Sequence, residues 1–145
     1  MKIFECDPDH PDAKCVLSRL SETLLEAVGD TGQSSFDADD VRQTRSAFFV
    51  GYDDDIPIAC GALRPISEGI VELNRMYAEK GLGSLLLSAL EEHATSLGYS
   101  RVWLSTRVAN RKAVHFYKKH NYKQLANYGK YAGRNNSICF EKILS

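Results

Sequence analysis

The run Val71-Glu72-Leu73-Asn74-Arg75-Met76-Tyr77-Ala78-Glu79-Lys80-Gly81-Leu82-Gly83-Ser84 passes from a strand-like pattern, through Gly-x-Gly, into a leucine-rich helical pattern. Glycines at a helix start let a ligand approach the backbone closely. The free N–H groups of the first turn and the helix dipole then favour an anion such as a pyrophosphate. The same residues would also serve a plain tight connection in which glycine supplies a positive φ. Two other phosphate loops are excluded. No Gly-Lys-Ser/Thr follows at Walker spacing, and one Gly-x-Gly lacks the third glycine of a dinucleotide fingerprint. A second run, Asn110-Arg111-Lys112-Ala113-Val114-His115-Phe116-Tyr117-Lys118-Lys119-His120-Asn121-Tyr122, joins a helix-starting Asn to an aromatic pair near the helix end. Alone, Phe116-Tyr117 reads as core packing as readily as chemistry.

The remaining reactive side chains carry weaker signals. Asp53-Asp54-Asp55 reads as a solvated hairpin turn rather than a metal site. Cys6, Cys15, Cys60 and Cys139 form no Cys-x-x-Cys pair, and His10, His93, His115 and His120 are scattered, so no zinc spacing is present and no metal is expected. The thiols read as reduced and mostly buried, with Cys139 the first candidate should one be reactive.

These runs need elements to position them. Leu17, Leu20, Leu24 and Val28 recur at helical spacing over 12–28, and Gly29 ends that helix. Residues 37–44 suit a second short helix with Asp37 as cap. The period then changes: 47–52, 56–63 and 70–77 read as an antiparallel meander. Residues 80–97 form the strongest helix, 101–105 a strand, 110–120 a helix, and 122–125 and 137–142 the closing strands. The order β-α-α-β-β-β-α-β-α-β-β predicts an α+β design, one mixed, mostly antiparallel central sheet with helices on its faces, in a single domain over 1–145. Composition agrees: 145 residues with 43% hydrophobic and 26% charged side chains exclude general disorder, and a net charge of −1 argues against a generic nucleic-acid binder. No apolar stretch has the length of a membrane span. The early acidic residues Glu5 and Asp7 do not suit a secretory signal, so a cytoplasmic location is expected.

Taken together, strand–Gly-x-Gly–helix–strand–Asn-x-x-Ala-x-x-Phe-Tyr–strand resembles the GCN5-related N-acetyltransferase (GNAT) superfamily over nearly the whole chain. Glu72-Leu73-Asn74-Arg75-Met76-Tyr77 and the tail Asn127-Tyr128-Gly129-Lys130-Tyr131 with Ser137-Ile138-Cys139-Phe140-Glu141-Lys142 look like a branch of small bacterial members. The resemblance implies acetyl transfer from acetyl-CoA, as co-substrate, to an amine. It implies that the backbone of Met76, Tyr77 and Ala78 pairs with the pantetheine arm. Lys80, Gly81, Leu82, Gly83 and Ser84 would hold the pyrophosphate, and Asn110 would reach the pantetheine side. It sets Tyr117 beside the thioester sulfur as the acid for the departing thiolate, and Glu72 as the base, acting through water. The N–H of Met76 or Tyr77 would polarise the carbonyl. His115, one residue from Tyr117, points about 100° away.

An acceptor pocket is expected from loops 29–41 and 127–136, where Tyr128, Lys130, Tyr131 and Arg134 would suit an anionic acceptor or simply form a rim. An amino acid, a polyamine, an antibiotic, a protein N-terminus or a lysine would each fit, with no nucleic-acid or membrane partner, and a homodimer would be in keeping with the superfamily. One departure stands out: Ala78 occupies the place of the family's usual Arg or Gln, and the connection from Tyr77 to Gly81 is short. Either the turn is truly shortened, or a mobile stretch between Ala78 and Lys80 is missing from the sequence. The short turn also supports a different reading, an acyl-CoA-binding module without turnover.

Overall fold

The computed structural model describes residues 1–33 and 36–144. The first strand, β1 (Lys2–Glu5), leads to helix α1 (Pro11–Val28). Helix α1 starts where His10 Nδ1 accepts the Asp12 N–H, and it stops at Gly29, whose φ of 73° no other residue type adopts as easily. The short helix expected over 37–44 is one 3-10 turn, Ala38–Val41, capped as expected by Asp37. Strands β2 (Ala47–Asp53), β3 (Ile56–Pro65) and β4 (Ile70–Ala78) form the meander. Helix α2 (Gly83–Ser96), strand β5 (Arg101–Arg107), helix α3 (Arg111–Lys119), and strands β6 (Lys123–Leu125) and β7 (Ser137–Ile143) follow. The sheet order is β1-β2-β3-β4-β5-β7-β6, and every neighbouring pair is antiparallel except β4 with β5.

Strand β3 is buried without interruption from Ile58 to Leu63 because helices cover both of its faces. On one face Leu63, Val71, Leu73, Leu104 and Phe140 pack with Leu86, Leu87 and Leu90 of α2. On the other, Phe48, Val50, Cys60 and Ala62 pack with Ala13 and Val16 of α1. Gly61 is where α2 comes closest, since a Cβ there would lie 2.6 Å from Leu90 Cδ1. Among the described residues no helix is long and apolar enough to cross a membrane.

Helix α2 begins three residues later than its pattern predicts. Lys80 (φ 57°) and Gly81 (φ 71°) are both left-handed, and the Leu82 N–H bonds to the Glu79 carbonyl at 3.1 Å. This is the geometry of a type I′ turn, and it carries the short connection from β4 to α2 without further residues. The thiols also differ from expectation. Cys60 and Cys139 are buried, Cys6 is half-buried and Cys15 is exposed. Burial pushes the Cys60 thiol up to about 12, which makes it unreactive.

Two irregularities of β4 open the molecule. The parallel register with β5 runs Ile70↔Arg101, Val71↔Val102, Glu72↔Trp103 and stops, although both strands continue. Past Glu72, β4 therefore has a free edge inside the sheet. In addition, Ala62 pairs with Asn74 while Cys60 pairs with Tyr77, so Arg75 and Met76 together oppose Gly61. That is a β-bulge, and Arg75 carries it with a φ of 50°.

Candidate active site

The parting of β4 from β5 makes a cleft between α1 and α3. Its walls include Leu20 and Leu24 of α1, Leu73–Met76 of β4, Leu104–Arg107 of β5, and Asn110, Ala113 and Tyr117 of α3. Tyr131, Arg134 and Asn136 close its outer side. Of the two loops expected to flank an acceptor, 29–41 contributes Asp30 and Gly32 and 127–136 contributes Tyr131, Arg134 and Asn136. Residues 34 and 35 of the first loop lie outside the described residues.

Tyr117 stands in the α3 wall, packed edge-on against Phe116 and Tyr122 with ring centroids 5.4 and 5.5 Å away. Its hydroxyl donates to Met76 Sδ at 3.7 Å, and a thioether is a weak acceptor. Burial pushes this phenol well above its ordinary range, so it stays protonated. Asn110 lines the cleft while its Oδ1 accepts the Ala113 N–H at 3.3 Å, which makes it the cap of α3. His115 is exposed on the outer surface of α3.

The start of α2 has no side-chain cap, and Ser84 is exposed. A Cβ on Gly81 would meet nothing within 4 Å, so the turn faces open space. Gly83 differs: a Cβ there would lie 3.2 Å from Phe116, so this glycine also lets α2 approach α3. Ser84 Oγ and His120 Nε2, 2.9 Å apart, tie the same two helices. Lys80 Nζ is held by Asp53 at 2.5 Å, which anchors the turn to the β2–β3 hairpin. The Tyr77 ring turns to the α1 side, where its hydroxyl donates to Glu79 at 3.1 Å. Its backbone, with those of Met76 and Ala78, belongs to the free edge of β4.

Glu72 lies just where the strands part, beneath the cleft rather than among its lining residues, and is 1% exposed. Arg64 Nη2 donates to its Oε1 at 2.7 Å, and the Tyr128 hydroxyl donates to its Oε2 at 2.6 Å. Tyr128 is thus an internal partner of Glu72, its ring tilted against Trp103 with centroids 4.8 Å apart, and not a rim residue. Burial and the adjacent carboxylate push its phenol far up. Lys130 is exposed and does not line the cleft, whereas Tyr131 and Arg134 do.

Arg75 lines the cleft too, and residue-by-residue reading of the motif missed it. It is 7% exposed. A signal was available: Val71, Leu73 and Arg75 share one alternation register, so a charge falls at a position where a core side chain belongs. The bulge resolves the conflict by turning Arg75 to the α1 side.

A family model described as the acetyltransferase (GNAT) family matches residues 15–122. The uncharacterized N-acetyltransferase YjcF of Bacillus subtilis is 34% identical over 126 residues, covering 78% of this chain and 87% of that protein. The probable N-acetyltransferase 14 of Xenopus tropicalis is 33% identical over 98 residues, 58% of this chain, and the match spans about half (48%) of that relative's length. A crystal structure of a GNAT family acetyltransferase from Elizabethkingia anophelis with acetyl-CoA bound superposes with a TM-score of 0.71, covering 99% of this chain and 97% of the other at 16% identity, a likeness of fold.

Proposed function

Because this chain belongs to the GNAT acetyltransferase family, we propose that it moves an acetyl group from acetyl-CoA to a primary amine by direct attack in a ternary complex. The observation that carries this reading is the parting of β4 and β5 after Glu72. It leaves a strand edge inside the fold, with Tyr117 on one wall, while the uncapped α2 start lies outside the cleft lining, against α3. The edge formed by Met76, Tyr77 and Ala78 suits the amide-bearing arm of the cofactor. The open turn at Lys80, Gly81 and Leu82, with the first-turn N–H groups of Gly83 and Ser84, suits its pyrophosphate. Asn110 and Tyr117 face the same groove from α3.

Acetyl-CoA supplies an acetyl thioester, whose carbonyl carbon the neutral amine attacks as the carbon–sulfur bond breaks and thiolate leaves. The chain must do three things for this. A donor must meet the oxyanion, for which we assign the Met76 N–H at the bulge, where β4 steps out of register. A proton must reach the thiolate. Tyr117 is the proposed donor, because its O–H now rests on a weak acceptor and would bond better to a thiolate. With its pKa raised by burial and a free thiol near 8.5, complete transfer from Tyr117 is uphill, so its contribution is mainly a strong hydrogen bond. The amine must also lose a proton. Glu72 is the proposed sink, through water: its two named bonds leave lone pairs unused, and it sits directly below the reacting end of the cleft.

Incubation with acetyl-CoA and a mixed amine panel, following free thiol, tests the reading. Amine-dependent thiol release with an N-acetylated product is expected. Tight CoA binding with no release for any amine would favour the module without turnover.

A further inference from the structure

Among the described residues two charged side chains are buried, Glu72 and Arg75, and Glu72 is compensated by Arg64. Arg19, Arg42, Arg64, Arg101 and Arg107 each hold a carboxylate. Arg75 is more buried than any of them, yet its partners are neutral. Nη1 donates to the Thr31 carbonyl at 2.7 Å and Nη2 to Ser21 Oγ at 2.8 Å, and no carboxylate among the described residues pairs with it. Those bonds take two of the five N–H groups of a guanidinium. A desolvated cation without a counter-ion costs stability, so its retention calls for an explanation outside the resting chain.

The surroundings say where the missing anion belongs. The bulge aims Arg75 towards α1, on the side of the cleft opposite Tyr117, and a Cβ placed on Gly32 would lie 3.0 Å from Nη1, so the loop leaves the guanidinium little room on that side. The guanidinium is therefore fixed in place. Arg134 lines the outer side of the same cleft, also without a carboxylate partner among the described residues, while Arg107 is neutralised by Asp30. The cleft is thus left with two uncompensated cations. The phosphates of CoA do not account for them, because the α2 start lies beyond the opposite wall.

We infer that the acceptor is an amine that also carries a carboxylate, read by the fixed guanidinium of Arg75 with Arg134 at the rim. The inference rests on the acetyl-transfer reading and narrows its substrate class to amino acids and amines of like charge pattern. The fork of Arg75 would take the carboxylate side-on, leaving the amine directed at the β4–β5 gap.

The test compares each amino acid with its own carboxamide. The carboxamide's amine is the easier to deprotonate, so intrinsic reactivity favours the wrong member of every pair. The inference expects the carboxylate member to win in kcat/KM by about thirtyfold or more, the scale of an unpaired buried charge. Arg75→Gln should abolish that preference, Arg75→Lys should restore part of it, and Arg134→Gln, at an exposed position that the fold does not need, should reduce it. Calorimetry with N-acetyl amino acids, without acetyl-CoA, provides a readout independent of turnover. Equal rates for acid and amide would overturn the inference and leave acetyl transfer standing. Binding of N-acetyl amino acids, lost in Arg75→Gln but with no turnover of any amine, would uphold the anion site and sink the transfer reading. Preference for aminomethylphosphonate over glycine would overturn the carboxylate assignment, as would absence of both binding and turnover.

Discussion

Glu72 and Arg75 stand three residues apart on one strand, and both are buried. The first is closed off: Arg64 balances its charge and Tyr128 occupies its second oxygen. The second is left open, held by a carbonyl and a hydroxyl that bring no charge. The difference follows the geometry of the sheet. Up to Glu72, β4 is paired on both sides, and an unbalanced charge there would only weaken the fold. Beyond Glu72 the strand borders a cleft, where a ligand can supply the missing partner. On the proposed reading, the same boundary separates a charge balanced within the fold from one left for the acceptor.

The comparison breaks if the two charges respond alike to removal. Glu72→Gln removes the nearer of the two carboxylates of Arg64, leaving Asp40 at 3.6 Å, and the loss should be about 3 kcal/mol, at the lower end for a broken buried pair because Arg64 keeps that second partner and is partly exposed. Arg75→Met removes a charge that has no counter-ion to orphan and frees only two neutral acceptors, the Thr31 carbonyl and the Ser21 hydroxyl, so the loss should be about 1 kcal/mol, clearly smaller than for Glu72→Gln. Urea titrations of the two variants measure both. If Glu72 is also the proton sink, activity of its Gln variant should recover in part at high pH, where solvent supplies free amine. A flat, pH-independent loss would make it a positioning residue.

Tyr117→Phe comes next in size. Ring packing is kept and the donor removed, so kcat should fall about 10- to 100-fold, the low end for a general acid because a thiolate already leaves fairly well. Affinity for acetyl-CoA should hold within about threefold. The raised pKa adds a sign. A buried phenol that ionises later than in the unfolded chain contributes stability below the ordinary value of about 10, and that contribution is lost as pH rises further. The Phe variant should therefore lose less stability than the parent between neutral pH and strong alkali.

Ser84→Asp is expected to be smaller still, and it probes the start of α2, outside the cleft lining. A carboxylate in the first turn of α2 suits the helix dipole but repels a pyrophosphate, so CoA binding should weaken about tenfold, or ~1.4 kcal/mol, without loss of fold. It is a cleaner probe than Gly83→Asp, whose Cβ would press on Phe116 at 3.2 Å.

Much of this was legible in the residue pattern. The α1 stripe, the meander, the Gly-x-Gly helix start and the Asn110 cap all follow from periodicity and capping chemistry, which are local. What escaped depended on distant partners. Lys80 takes a left-handed φ because a turn must close between β4 and α2, and its residue type gives no sign of that. Tyr128 folds inward because Glu72 and Trp103, far away in the chain, form its pocket. Arg75 was visible as a charge in an apolar register, but the bulge that re-aims it arises from pairing with β3.

The central claim is that the gap between β4 and β5 receives acetyl-CoA on its α3 side and the acceptor on its α1 side. An NMR titration of the ¹⁵N-labelled protein addresses both halves at once. With CoA alone, the amides of Met76, Tyr77, Ala78, Gly83 and Ser84 should shift while the Arg75 guanidinium stays put, and adding an N-acetyl amino acid should then move the Arg75 Nε–H resonance. Shifts concentrated instead in the groove of Lys14, Leu17 and Phe36, or a guanidinium indifferent to every carboxylate, would contradict the account.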